Sequence, residues 1–416
     1  MPSQPSLLLG PFGGQVGEAL ACIAAFDGLN DRASVYQGGM LSDFFGSYWW
    51  NQNRIINRYP ANGEFPREQP YDLNLHLQQH PTYDEFWRER CAAEHLHQIE
   101  VPLYSVGVWG KVDLHTRGNI DGFRGAGGPK KLKMIGPVNA FVANREFNSP
   151  DLHEKLLLPF YDHYLKGLQT DYPERPEVEY FVRGADAVRT SQTWPPSGAR
   201  YVAWNLSAEK TGSVTSLNDG GLTRETSAGE KQTSYAYPNP GWMIGVVGFG
   251  PNNQPDPARR VLTFTTAPLE QDLEIAGPIK LVLYASSTRD DMDFFVKLSE
   301  QMPQAAEERG KGLNPASFWI TKGWLRASHR ALDAKKSTEM EPYHTHTDPS
   351  PIEPGKIYRF DISIEPMAHR FKAGSRVRLE IVNGDSVVTD CCGRIIMRPT
   401  RSGRIRSIIR RNIRRC

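Results

Sequence analysis

From Glu179 to about Asn383 the chain is a succession of short runs of β-branched and aromatic residues. Examples are VEYFVRG, VLTFTTAPL, IKLVLYASS, DFFVKLSEQM, IYRFDISIE and RVRLEIVNGD, and Gly, Pro, Asn and Asp interrupt them repeatedly. Runs this short, with turn residues between them, bury a face only by packing sheet against sheet. The pattern predicts a β-sandwich or jelly roll over about half of the chain.

The preceding stretch reads differently. Two apolar runs, VPLYSVGVW and KLKMIGPV, each lead into a loop and then a helical segment, so Val101–Leu165 predicts strand, loop, helix, strand, loop, helix. In a parallel α/β sheet, groups that act on a substrate sit in loops past the carboxyl ends of the strands. The first loop offers Trp109, Lys111, Asp113, His115 and Arg117, and the second offers Asn139. The last helix, LHEKLLLPFYDHYLKG, has an apolar stripe and a C-cap candidate in Gly167. Ahead of this stretch, residues 51–100 are polar and helical and broken by prolines, as in a cap segment, with Phe86, Cys91 (or Arg90) and Leu96 near one face. EALACIAAF, within residues 1–50, reads as a short helix. The domain boundary is expected near Asp171–Pro176.

A chain of 416 residues has room for two domains. Charged residues make up 23% and the mean hydropathy is −0.51, and the longest apolar runs fall far short of the roughly 18 residues that span a bilayer. The N-terminus lacks a basic start and a long apolar stretch, so no signal peptide is read and a cytoplasmic setting is expected. Five cysteines, irregularly spaced, exclude a disulfide framework or a zinc ribbon. Between Arg394 and Arg415 stand nine arginines and no acid, so the rest of the chain is mildly acidic and the overall charge of +2 does not describe it. This tail, residues 391–416, drops out of the strand-and-turn pattern, as a shifted reading frame would. It is expected to be unstructured, with nucleic-acid binding the lesser reading.

Four segments carry a resemblance to a known family. AFDGLNDRASVYQGGMLSDFF resembles the segment that follows the nucleophile elbow of the cocaine esterase and X-Pro dipeptidyl-peptidase (CocE/NonD-like) serine hydrolases. IEVPLYSVGVWGKVD resembles the strand carrying their acid, VPxLxVGGWYD, and KKLKMIGPVNA resembles the strand ending in GPWxH. The longest match runs from LTFTTAPLEQDLEIAGPIKLVLYASS through PIEPGKIYRFDISIEPMAHRFKAGSRVRLEI and is similar to the family's C-terminal jelly roll. The resemblance covers roughly residues 19–390. It implies a partial α/β-hydrolase core with a helical cap segment, followed by an all-β jelly roll. On this reading residues 1–50 are a core remnant after the elbow and 51–100 the cap. Residues 101–170 are the C-terminal part of the core, 176–390 the jelly roll, and 391–416 the atypical tail.

The resemblance implies hydrolysis of esters, amides or peptides through an acyl-enzyme, with dipeptidyl-peptidase or acyl-esterase substrates. Its catalytic parts transfer unevenly. G-x-S-x-G does not occur in the chain, so no serine nucleophile is identified, and the chain is expected to lack the N-terminal part that holds it. At the family's acid position stands Lys111, and Asp113, two residues on, is the candidate acid. Ala140 occupies the histidine position, and without an imidazole a serine hydroxyl has no general base near neutral pH. His115 and His153 are substitute bases by sequence proximity only. Trp49, Trp50 and Trp109 are candidates for an apolar acyl pocket, and a buried place between cap and core serves each equally well.

Other constellations carry less. His344 and His346, and His95 and His97, have i, i+2 spacing but lack a third ligand at a telling distance, so no metal is assigned. Asp290, Asp291 and Asp293 lack the Gly and Glu of a calcium loop. Gly245, Gly248 and Gly250 follow no strand–helix pattern, so a dinucleotide site is unsupported. Asn205 is a sequon that matters only in a secreted chain. The expectation is an enzyme-derived chain, inactive alone, without cofactor. Its partner would be a small ester, amide or peptide substrate, with no nucleic acid or membrane partner and with homo-oligomerisation left open. The alternative is a non-catalytic homologue whose jelly roll binds a ligand or a protein.

Overall fold

The computed structural model describes residues 20–26, 35–42, 50–51, 72–112, 114–136, 140–225, 231–237, 248–384 and 403–409. Its first layer is a five-stranded sheet. β1 (Ile23–Phe26) pairs in parallel with β4 (Leu103–Val108), β4 with β5 (Lys130–Ile135), and β5 with β6 (Val178–Val182), while β7 (Ala187–Ser191) closes the edge antiparallel. β4 is buried along its whole length, as expected of a strand covered on both faces.

Two expectations change here. The apolar run EALACIAAF supplies a strand rather than a helix, because an eight-residue apolar run has no period that separates the two and the exposed edge of β4 captures it. VEYFVRG, expected to open the all-β part, pairs in parallel with β5 and so extends the first sheet past Pro176.

Between β1 and β4 lie a tight hairpin, β2 (Tyr36–Gln37) and β3 (Met40–Leu41), and the helices α1 (Leu73–Gln79) and α2 (Glu85–Arg88). Asp72 caps α1 by accepting from the Leu75 amide at 3.2 Å. The crossover from β4 to β5 is α3 (Thr116–Gly125). The crossover from β5 to β6 starts with α4 (Ala140–Phe147) and ends with α5 (Leu158–Lys166), a π-helical turn at His153–Leu157 leading into the latter. Gly167 terminates α5 in the left-handed conformation at φ 66°, as its sequence position predicts.

The second layer is a ten-stranded, curled sheet. Its strands are β8 (Asn205–Ser207), β9 (Gly220–Thr223), β10 (Lys231–Tyr237), β13 (Leu262–Thr265), β14 (Leu273–Ser287), β15 (Asp293–Gln301), β16 (Ser317–Arg326), β17 (Tyr358–Phe371), β18 (Arg376–Val382) and β19 (Gly403–Ile409). They lie in the order β10-β19-β14-β17-β16-β15-β18-β13-β9-β8. Among the described strands of this sheet only the β13–β9 pair is parallel. A separate two-stranded ribbon is formed by β11 (Gly248–Phe249) and β12 (Pro255–Asp256). The Arg-rich tail, expected to be unstructured, contributes β19, which pairs with both β10 and β14. Ile and Arg alternate over Arg404–Arg406, and the segment becomes a strand because it fits between two partners, β10 on one side and the end of β14 on the other.

The two sheets are stitched together. The Arg183 amide donates to Ala368 O at 3.2 Å, and the Arg370 amide donates to Arg183 O at 2.7 Å, so the end of β6 adds main-chain hydrogen bonds to β17. One contiguous apolar cluster runs from Trp109, Phe123 and Met134 in the first layer to Phe294, Phe360 and Ile364 in the second. Burial of this kind, at about 25 cal/mol per Å² of apolar surface, couples the layers.

Candidate functional site

The carboxyl ends of β4 and β5 lie side by side, with Val108 opposite Ile135. Beyond Val108 the chain makes a 3₁₀ turn at Trp109–Lys111. The Leu114 and His115 amides then donate back to Lys111 O at 3.1 and 2.9 Å. The Thr116 hydroxyl, wholly buried, donates to Val108 O at 2.8 Å and fixes the start of α3 against the strand end. Beyond Ile135 comes Gly136, where a Cβ would approach the Phe181 ring to 2.5 Å. The next described residue opens α4. Lys111 is buried, and its Nζ sits 5.5 Å from the Phe147 ring on α4, so the two loops meet through a cation and an aromatic face.

Asp113, the candidate acid, Asn139 and Trp49 lie outside the described residues. The side chain of Ala140 is likewise not described, although its backbone begins α4. Trp50 is half-buried at the start of a helical turn. Trp109 is 0% exposed; its indole N–H donates to Phe181 O at 2.7 Å and its ring lies 5.6 Å from that of Trp194. That environment is core, which gives it no open pocket surface. His153 Nε2 donates to Phe147 O at 2.8 Å, holding its ring against the end of α4. His115 occupies the N-cap position of α3 without a side-chain capping bond.

Of the other motifs, Asp291 and Asp293 are engaged in structural contacts, and Gly245 lies outside the described residues. Asp291 accepts from the Ser328 amide and hydroxyl at 2.9 and 2.7 Å. Asp293 forms a two-pronged ion pair with Arg326 at 2.7 and 3.0 Å. His346 Nδ1 lies 3.0 Å from His329 Nδ1, while His344 is 5.8 Å away by ring centroid. Among the described residues, no group of three or more His, Cys, Asp or Glu side chains is arranged to hold a metal ion.

Sequence reasoning missed the contacts that brace this region from the second sheet. Arg117, on the first turn of α3, donates through Nε to both carboxylate oxygens of Glu365 at 2.9 and 3.1 Å and through Nη2 to the Ser363 hydroxyl at 3.1 Å. Partners 248 residues apart leave no local signal. The β2–β3 hairpin docks on the other side, with Gly38 O accepting from the Arg326 amide at 2.8 Å. The Tyr36 hydroxyl reaches Leu77 O of α1 at 2.6 Å. Two adjacent glycines mark such a turn in sequence, though not where it docks.

Loops gathered at the carboxyl ends of parallel strands are where open α/β sheets hold their ligands, and here a large β layer braces them. The comparisons agree. Residues 172–394, more than half of the chain, match the family described as X-Pro dipeptidyl-peptidase C-terminal non-catalytic domain. A Mycobacterium bovis protein provisionally named a serine esterase is 31% identical over 254 residues, covering 58% of this chain and 38% of that protein. The cocaine esterase of a Rhodococcus species is 24% identical over 331 residues, covering 73% of this chain and 52% of its own length. The structure of a CocE/NonD family hydrolase from Staphylococcus aureus superposes with a TM-score of 0.76 at 23% identity, covering 95% of this chain and 67% of that one. The chain belongs to the CocE/NonD-like family of esterase and peptidase hydrolases, and spans between about a third and a half of the curated relatives it matches.

Proposed function

We propose that this chain is the scaffold portion of a serine hydrolase that cleaves esters, amides or peptides through an acyl-enzyme, and that its 416 residues alone do not turn over. On this reading the five-stranded sheet is the C-terminal part of an α/β-hydrolase core, α1 and α2 belong to a cap, and the ten-stranded sheet is a jelly roll. The loop after β4 would present Asp113 to orient a base, and Trp50 would face the acyl group. The observation that carries the reading is the pairing of family membership with a missing nucleophile. No G-x-S-x-G occurs, and Ala140 stands where the family's histidine is expected, so neither a serine nor its base is available.

Expressed as written and assayed with p-nitrophenyl acetate and X-Pro-nitroanilides, the chain gives rates equal to buffer and takes up no fluorophosphonate label. Turnover blocked by a fluorophosphonate overturns the proposal. We place the chain in the cytoplasm; among the described residues no helix is long and apolar enough to cross a membrane.

A second reading draws on the description of the matched domain as non-catalytic: a homologue that uses its β layer to bind a ligand or a protein. An in-frame G-x-S-x-G in genomic sequence ahead of Met1 favours the enzyme, and its absence favours the binder.

A further inference from the structure

One face of the strands β15, β16 and β18 changes character along its length. Its first rung is apolar, with Phe295 opposite Trp324 on one side and Val382 on the other. The next rung sets Lys297 between Lys322 and Glu380, and after a β-bulge the third sets Ser299 between Trp319 and Arg378. Cross-strand partners share a face, so these polar groups form one patch. The patch is not solvent-facing: Lys297, Lys322 and Arg378 are 6%, 2% and 2% exposed.

A sheet face covered by other segments is normally apolar, because each buried ion costs several kcal/mol of desolvation. Here the polar rungs floor a cavity of about 440 Å³, roofed by the segments around Pro251–Val261 and Leu313–Pro315. Ligand sites commonly enclose roughly 300–1,000 Å³. Arg378 Nη2 is held by Glu380 at 2.7 Å, while its buried Nε has no hydrogen-bond partner among the described residues. A buried donor left in that state calls for an explanation.

The chemistry of the lining points to the ligand. The charged side chains that line the cavity, Lys297 and Arg378 against Asp256 and Glu380, balance in sign. It offers donors and acceptors in alternation, with Asp256 held in place by Arg259 at 2.9 Å and by Asn314 at 2.8 Å. Trp319, half-buried with Lys322 Nζ 4.8 Å from its ring centroid, adds an aromatic wall. Paired donors and acceptors beside an aromatic plane suit a neutral molecule with many hydroxyl groups and an apolar ring face. We propose that this cavity binds a mono- or disaccharide, independently of hydrolysis.

Saturation-transfer NMR on the full chain, with glucose, galactose, mannose, maltose and lactose as probes, tests this. At least one sugar should bind with a dissociation constant on the order of millimolar. Trp319→Ala should weaken it tenfold or more, and Ser317→Trp, at the exposed rim, should block it without touching the buried floor. The melting curve of each variant checks its fold. Absence of binding by every sugar at roughly 50 mM overturns the proposal, as do variants that bind like the parent chain. Binding of acetate or phosphate in place of any sugar assigns the cavity to anions and overturns it too.

Discussion

Arg117 and Glu365 join the helix that follows the candidate acid loop to β17, an interior strand of the β layer. Two Nε contacts at 2.9 and 3.1 Å and an Nη2 contact at 2.6 Å hold a carboxylate whose side chain is 11% exposed. Removing one partner of such a pair leaves the other charge poorly solvated, which costs more than the pair contributes. Glu365→Gln is therefore expected to destabilise the chain by about 2–3 kcal/mol in urea denaturation. Arg117→Lys, which lacks the planar fork, is expected to restore only part of the stability. An unchanged midpoint in both variants would remove the pair from the account of how the layers are fixed.

The β2–β3 turn gives a steric prediction. Gly38 and Gly39 both have positive φ, 55° and 93°. A Cβ on Gly38 would meet Trp324 O at 2.3 Å, and one on Gly39 would meet the His329 ring at 2.5 Å. Gly38→Ala thus combines left-handed strain with a clash against fixed backbone, and a loss of at least 2 kcal/mol or so is expected. Thermal melting checks it, with Gly374→Ala as a control. Gly374 also has positive φ, 80°, but its Cβ would find only Pro303 at 3.8 Å, so the smaller loss there isolates the strain.

What the sequence disclosed follows the range of the physics behind it. The strand–loop–helix rhythm of Val101–Leu165 and the cap at Gly167 are local, set by periodicity and one residue's backbone freedom, and both are present in the structure. Ile23–Phe26 and Gly403–Ile409 are strands only because a distant edge pairs with them, which neither segment encodes alone. The candidate site was legible only as a pair of neighbouring strand ends, β4 beside β5. The bracing of those loops by Glu365, and the polar rungs beneath the cavity, depend on register between strands far apart in sequence.

His344 gives a pH prediction. Burial is the main cause that pushes its imidazole down to about 4 from an ordinary 6.5, and Arg117 acts in the same direction while Asp361 opposes it. The folded chain thus disfavours the protonated form, whereas the unfolded chain takes up the proton near pH 6.5. Stability from this group is complete above about pH 6.5 and is lost progressively as pH falls toward 4. The loss is expected to be on the order of 2 kcal/mol, after allowance for partial solvent contact. His344→Gln should flatten that part of the stability–pH curve, measured by urea midpoints at pH 7, 5.5 and 4.5. A curve of unchanged slope between pH 6.5 and 4 would show that other groups carry the acid sensitivity.

Trp109 separates a pocket role from a core role. Its ring is wholly enclosed in the cluster that spans both sheets, and its N–H satisfies Phe181 O at the end of β6. Trp109→Phe keeps most of the volume but orphans that carbonyl, so a loss of about 1–2 kcal/mol is expected. Trp109→Ala also opens a cavity, and about 3–5 kcal/mol is expected. Because the same cluster contains Met134 and Phe360, both variants should lower a single unfolding transition rather than split it, whether followed by far-UV circular dichroism or by tryptophan fluorescence. A Trp109→Ala chain that melts with its parent would mean that the indole lines open space instead, and the acyl-pocket role for this residue would then stand. Loss of stability on the expected scale leaves Trp50 as the described tryptophan still available to such a pocket.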